Sequence, residues 1–332
     1  MNHTIKILKN LQYPSGLIAA AAKHVRTGYN KAWLRDNIYA SLGFEAAQDI
    51  GSLKKTYHAL LDLLIKHEYK IDWMIKQPYP KLAWRYIHAR YDPETFEEFL
   101  EEWGNKQNDA VGAILFKIGD LTIKGVDILR DENDVRILQK LVNYLAAIEY
   151  WHDADNGMWE ENEELHASSI GACLAGLIAV KEIVNVSEGL IAKGREALNN
   201  LLPRESATKF VDLALLSLIY PYNIITEKQG KEILKNVETY LLRERGVCRY
   251  IGDKYYHNGT GEAEWTMGFA WLAVIYHMLG NKEKYEHYQN AAKQAMNENS
   301  ELPELYFSQS TKYNENTPLA WATALMMVAE HG

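Results

Sequence analysis

Two kinds of helical pattern alternate along the chain. One set is apolar almost all round and rich in small residues, at 37–47, 110–121, 168–180, 211–220, 265–278 and 319–328. Helices of that kind are buried on most sides, and small residues let neighbours approach closely. The second set, at 54–68, 134–150, 187–201, 227–243 and 282–296, is charged on one face and apolar on the other, as in Val135, Leu138, Leu141, Val142 and Leu145. Thr226-Glu227-Lys228-Gln229 is a capping box, and Thr317-Pro318 marks a helix start. Inner and outer helices in strict alternation predict an all-α double ring, an (α/α)6 toroid, forming a single domain over residues 1–332. The sixth outer helix is expected near the N-terminus, where 15–23 is helix-prone. A solenoid of helical hairpins would alternate similarly, but no fixed repeat period or repeated signature occurs.

Loop lengths add a direction to this ring. Connections from inner to outer helices are mostly short, whereas those entering the inner helices are mostly long: 29–36, 73–109, 153–166, 246–264 and 297–316. Only the loop into the fourth inner helix, 202–208, is plain. Long loops in a compact domain are usually functional. In a toroid these loops emerge on one face, where inner-helix N-termini offer backbone donors.

Composition narrows the partners. The 332 residues carry a formal charge of -8 with no long basic run, which argues against nucleic acid. The longest apolar stretch, 170–180, is too short to cross a bilayer. No secretory signal is visible, and the two distant cysteines, Cys173 and Cys248, suit a reducing cytoplasm. Nine tryptophans and 21 tyrosines leave aromatic surface to spare for a ligand. No cofactor and no metal is expected. Oligomeric state is not legible.

The chemistry centres on Asp155-Asn156-Gly157-Met158-Trp159-Glu160-Glu161, ahead of the inner helix at 168. A carboxylate beside a large ring is partly desolvated, which raises its pKa. Sugar cleavage uses that pairing, the ring packing on a pyranose while the acid protonates a glycosidic oxygen. A solvated acidic loop capping a helix fits the same residues. Trp33, Arg35, Asp36, Arg249, Asp253 and Glu304 lie in the other long loops. Arg35 and Asp36 read either as a clamp on sugar hydroxyls or as an ion pair capping the helix. Arg249 and Glu304 read either as site residues or as ordinary loop residues. Asp153 to Gly157 with Glu164 is similar to a calcium loop, but its glycine stands one position early. His166 reads as a hydrogen-bonded first-turn residue. Metal-protease, Cys-x-x-Cys, phosphate-loop and Gly-x-Ser-x-Gly signatures are missing.

Tyr29-Asn30-Lys31-Ala32-Trp33-Leu34-Arg35-Asp36-Asn37 resembles the substrate clamp of glycoside hydrolase family 15, the glucoamylases and glucodextranases. It also resembles the α subunit of phosphorylase kinase, which shares that superfamily's fold. His88-Ala89-Arg90-Tyr91-Asp92, Trp103-Gly104 and Gln107-Asn108-Asp109-Ala110 fit the next stretch of both. Gly157 to Glu161 resembles the general-acid segment, Arg249-Tyr250 with Gly252-Asp253 and Tyr255 a substrate loop, and Glu304 with Pro318-Leu319-Ala320-Trp321 the general-base segment. The resemblance implies an (α/α)6 toroid that hydrolyses α-glucosidic bonds with inversion. Glu160 would be general acid and Glu304 general base; Trp33, Arg35, Asp36, Trp159, Glu161 and Arg249 would hold the terminal glucose. Lys31 and Leu305 depart from the family's common tyrosine and glutamine. An N-terminal β-sandwich and a starch-binding module are not visible, which points to soluble substrates. The resemblance implies an exo-acting, inverting α-glucosidase that releases glucose from soluble α-glucosides or oligosaccharides, with an oligosaccharide or small glucoside as its partner; the alternative is a non-catalytic carbohydrate-sensing or regulatory protein of the kinase-subunit type.

Overall fold

The computed structural model describes residues 3–99, 101 and 103–331; part of the N-terminal stretch read above, Met1 and Asn2, lies outside them. Twelve α-helices are found among the described residues. Five form most of the inner ring: α2 (Leu34–Ala46), α5 (Asn108–Ile123), α7 (Ala167–Val180), α10 (Met267–Met278) and α12 (Ala320–His331). The sixth inner position is a short 3-10 helix, Leu213–Leu218. Packing runs α12 to α2, α5, α7, the 3-10 helix, α10 and back to α12, so the ring closes. The outer layer is α1 (His3–Leu11), α3 (Ile50–Lys66), α6 (Glu132–Ile148), α8 (Glu188–Leu201), α9 (Glu227–Tyr240) and α11 (Lys282–Gln294). An additional helix, α4 (Glu68–Lys76), packs on α6. The fold is the (α/α)6 toroid.

Burial follows the two sequence patterns. In α10 every residue from Met267 to Tyr276 is buried, whereas α8 buries only Gly194 and Leu198. The close approach of α5 and α7 depends on missing side chains. A Cβ on Gly112 would stand 2.3 Å from the Cys173 nitrogen, and one on Gly176 would stand 2.5 Å from the Gly112 carbonyl oxygen. Outer helices start on side-chain caps: Asp49 accepts from Ser52, Asp131 from Asn133 and Asp134, and Thr226 and Gln229 form a complete capping box. Each cap contributes roughly 1 kcal/mol.

The missing outer helix is α1, not 15–23. Gly16 sits at φ +112, where any added Cβ would run into the Lys55 carbonyl 2.3 Å away. From there the chain stays non-helical: Ile18 donates its amide to Asn37, and Ala20 and Ala21 donate theirs to the Lys31 and Tyr29 carbonyls. The fourth inner helix is shorter than 211–220 because both ends are claimed. Leu213 donates its amide to the Arg249 carbonyl, and Pro221 follows Tyr220. The helices expected from Trp265 and Leu319 start at Met267 and Ala320, since Trp265 is used in a strand.

Two antiparallel two-stranded pairings tie the long loops together. β1 (Ala32–Trp33) pairs with β2 (Arg90–Tyr91), Trp33 opposite Arg90. β3 (Glu264–Trp265) pairs with β4 (Leu305–Tyr306), Trp265 opposite Leu305. The second pairing carries Glu304 to the mouth of the inner ring beside Trp265.

Candidate active site

A cavity of about 380 Å³ opens where the inner-helix N-termini meet. Trp33, Arg35, Asp36, Trp159, Glu160, Glu161, Arg249 and Glu304 all line it, so eight of the nine residues singled out from sequence come together at one place; Asp253, the ninth, is buried against Arg249 instead. Ala20, Tyr29, Trp103, Met158, Lys254, Tyr255, Trp265, Leu319 and Trp321 complete the wall.

Glu160 follows Trp159 at the end of the glycine turn and holds a positive φ of 63°. That conformation costs a non-glycine residue of order 1–3 kcal/mol and concentrates at functional sites. Its side chain keeps 20% exposure, and Oε1 accepts from Arg35 Nη2 at 3.3 Å. Burial pushes the carboxyl up to about 8, against the Arg35 guanidinium and with the Asp36 charge adding to the rise. A proton therefore stays on Glu160 at neutral pH.

Glu161, its neighbour in sequence, has the opposite surroundings. Its Oε2 lies 2.7 Å from Lys209 Nζ, while Oε1 accepts from Arg249 Nη2 at 3.1 Å and the Tyr250 hydroxyl at 2.7 Å. Arg249 is itself held by Asp253, through Nε and Nη2 at 2.7 Å each, and lies among the rings of Trp159, Tyr255 and Trp265 at 4.9–5.3 Å. Cations over aromatic faces are stabilised by the ring quadrupole. A line of alternating charge, Lys209, Glu161, Arg249, Asp253, thus runs behind one wall, with Glu161 and Arg249 facing the cavity.

The Arg35–Asp36 ion pair is not what holds Arg35. The guanidinium, 3% exposed, donates from Nη1 to Gln107 at 2.8 Å and to Asp109 at 3.1 Å. Asp36 lines the cavity and makes no side-chain hydrogen bond to another of the described residues, with burial pushing it up to about 6 against the pull of Arg35.

Glu304 also lines the cavity and is fully buried. Oε2 accepts from Asn316 Nδ2 at 2.8 Å and from Asn314 Nδ2; Oε1 meets the Tyr255 hydroxyl at 3.4 Å. The Tyr29 and Tyr255 hydroxyls bond each other at 3.0 Å. Burial pushes Glu304 above the usual carboxylate range, opposed by Tyr29, Asn316, Asn314 and Arg249.

Several of these groups escaped the sequence reading. The fourth loop, plain by composition, leads directly into Lys209 and Asp212. Asp212 accepts from Trp159 Nε1 at 2.7 Å and so sets the ring beside Glu160. Glu205 accepts from the Ser168 amide and lies 3.4 Å from His166 Nδ1. His166 is the N-cap position of α7; burial works against its charge, but Glu205 and Asp155 hold it up at about 9. In the calcium-like stretch the carboxylates already have partners: Asp153 takes Lys81 and Tyr86, and Asp155 takes the Asn108 amide. Cys173 and Cys248 are free and buried. No described helix is long and apolar enough to cross a membrane.

The rabbit (Oryctolagus cuniculus) phosphorylase b kinase regulatory subunit alpha, skeletal muscle isoform, is 26% identical over 346 residues. That match takes in 86% of this chain but only 28% of the relative, so the chain corresponds to a minor part of the curated relatives it matches. Among solved structures, a glycosidase in complex with glucose superposes with a TM-score of 0.83 at 19% identity, covering 98% of this chain and 94% of that one. A bacterial glucoamylase complexed with acarbose gives 0.72 at 15% identity, covering 99% and 54%. These likenesses speak for the fold. The model of glycosyl hydrolases family 15 matches residues 1–331, and the chain belongs to that family.

Proposed function

We propose that the protein is an inverting, exo-acting α-glucosidase that releases glucose from soluble α-glucosides or oligosaccharides. The observation that carries this reading is two carboxyls on one cavity in unlike surroundings: Glu160 beside Arg35, pushed up to about 8, and Glu304 bonded to the Asn314 and Asn316 amides. Glu160 gives its proton to the glycosidic oxygen as the bond from that oxygen to the anomeric carbon breaks. Water adds to the anomeric carbon from the opposite face, and its proton goes to Glu304. The Tyr29 and Tyr255 hydroxyls order that water at Oε1 of the base. Asp36 and the wall of Glu161 and Arg249 hold the sugar hydroxyls. The faces of Trp159 and Trp265 pack on the ring and favour the positive charge that develops there.

One observation favours a second reading, sugar binding without turnover: the 26% identity to a regulatory kinase subunit. Glucose release from maltose, isomaltose, trehalose and a maltooligosaccharide series separates the two. Turnover of at least one substrate, lost in Glu160→Gln and Glu304→Gln while binding persists, is the expected result. Binding with no hydrolysis of any glucoside would replace the enzyme reading with the regulatory one.

A further inference from the structure

A carboxylate removed from water as completely as Glu304 must have its lone pairs filled by donors, or it takes up a proton. Two of its donors come from the strand-and-loop segment that follows it. After β4 the chain folds back, Tyr306 bridging to Tyr313, and this return sets Asn314 and Asn316 against the carboxylate they follow in sequence. Both amides meet the same oxygen, Oε2. An ionised carboxylate only accepts, so the amide nitrogens rather than the amide oxygens must face it. Asn316 is fixed from two further directions. The Thr27 hydroxyl donates to its Oδ1, and its backbone carbonyl accepts from the Glu304 amide at 3.0 Å. Asn314 is 2% exposed, and its side chain meets Glu304 at the bottom of this fold-back.

We propose, resting on the reading of Glu304 as general base, that Asn314 and Asn316 are positioning residues. They fill both lone-pair positions of Oε2, fix the plane of the carboxylate, and leave Oε1 as the oxygen that takes the proton from water. An asparagine suits this place where an aspartate would not: it donates to the anion without bringing a second negative charge. Every other polar group facing Glu304 acts from a different element. Tyr29 comes from the loop before β1, Arg249 and Tyr255 from the loop before β3, and Glu160 stands on the same cavity. The amides and Tyr29 work against the burial that pushes Glu304 up. Losing one amide therefore raises the pH at which the base ionises.

The test uses Asn314→Ala, Asn316→Ala and the isosteric Asn316→Asp, with thermal melting to show that each is folded. The Glu304 carboxyl is followed by carbon-13 NMR in protein labelled at glutamate Cδ, assigned by its loss in Glu304→Gln. The acid limb of kcat/KM for maltooligosaccharide hydrolysis is measured alongside. Each alanine variant is expected to move the Glu304 midpoint and the acid limb upward together by about 1–2 pH units, the worth of one hydrogen bond to a charged group. KM should stay unchanged, and Asn316→Asp should move the midpoint further than Asn316→Ala. A Glu304 midpoint that stays put in folded Asn314→Ala and Asn316→Asp would overturn the proposal. The NMR midpoint does not depend on turnover. If it moves as expected in a protein that hydrolyses no glucoside, the clamp on Oε2 stands and the general-base reading alone falls.

Discussion

Replacing Glu160 with glutamine should make the protein inactive and, at the same time, more stable, by an amount that grows with pH. The ordinary glutamate value is 4.5, whereas the folded Glu160 holds its proton to about 8. An unfolded chain releases that proton across the interval in which the folded chain keeps it. Wild-type stability therefore falls as pH rises from about 4.5 to about 8 and levels off above. Glutamine keeps an oxygen for Arg35 Nη2 and carries no titrating proton, so it lacks this penalty. At 1.36 kcal/mol per unit, the gain from Glu160→Gln is ~1 kcal/mol at pH 5, ~3 at pH 7 and up to ~5 at pH 9. Urea unfolding of both proteins at those three pH values measures it directly. The positive φ at position 160 is common to both and cancels. A variant whose advantage is flat with pH, or shrinks toward pH 9, would refute the claim that the fold forces a proton onto Glu160.

Two other perturbations probe the clamp and the scaffold. Asp36→Ala should weaken oligosaccharide binding at least tenfold in titration calorimetry, since a hydrogen bond to a charged group is worth roughly 1.5–3 kcal/mol. Asp36 is the cleaner choice than Arg35, whose loss would also strand Asp109; unchanged affinity in folded Asp36→Ala would return Asp36 to a structural role. Gly112→Ala sets a Cβ 2.3 Å from the Cys173 nitrogen in the α5–α7 contact. Overpacking of that kind costs about 1–3 kcal/mol, and a melting temperature equal to wild type would show that the two helices can part freely.

The ring was legible because burial writes itself into composition. A helical stretch enclosed on all sides, such as 267–276, has no polar face, and an outer helix such as Glu188–Leu201 cannot hide one. Where tertiary contacts overrode local preference, the pattern misled. The apolar run 211–220 reads as a full helix, yet pairing of the 212–213 backbone with the Arg249–Tyr250 stretch leaves only Leu213–Leu218 to coil. The Ala-rich 15–23 segment reads as helix, but Gly16 and its contact with Lys55 turn it away. The site divides in the same manner. Trp159, Glu160 and Glu161 announce themselves in one loop. Lys209 and Asp212 do not, because their partners Glu161 and Trp159 stand 48 and 53 residues away. Asn314 and Asn316 gain meaning only once the return after β4 lays them on Glu304.

In the proposed reaction Glu160 and Glu304 act as acid and base across the two faces of one sugar. Such a pair must leave room for a water and stand about 6.5–9.5 Å apart, which dictates inversion at the anomeric carbon. Proton NMR of an α-glucoside digest, recorded before mutarotation scrambles the product, reads that outcome in a single experiment. An inverting pair releases β-glucose first; α-glucose appearing first would rule out Glu160 and Glu304 as an inverting acid and base.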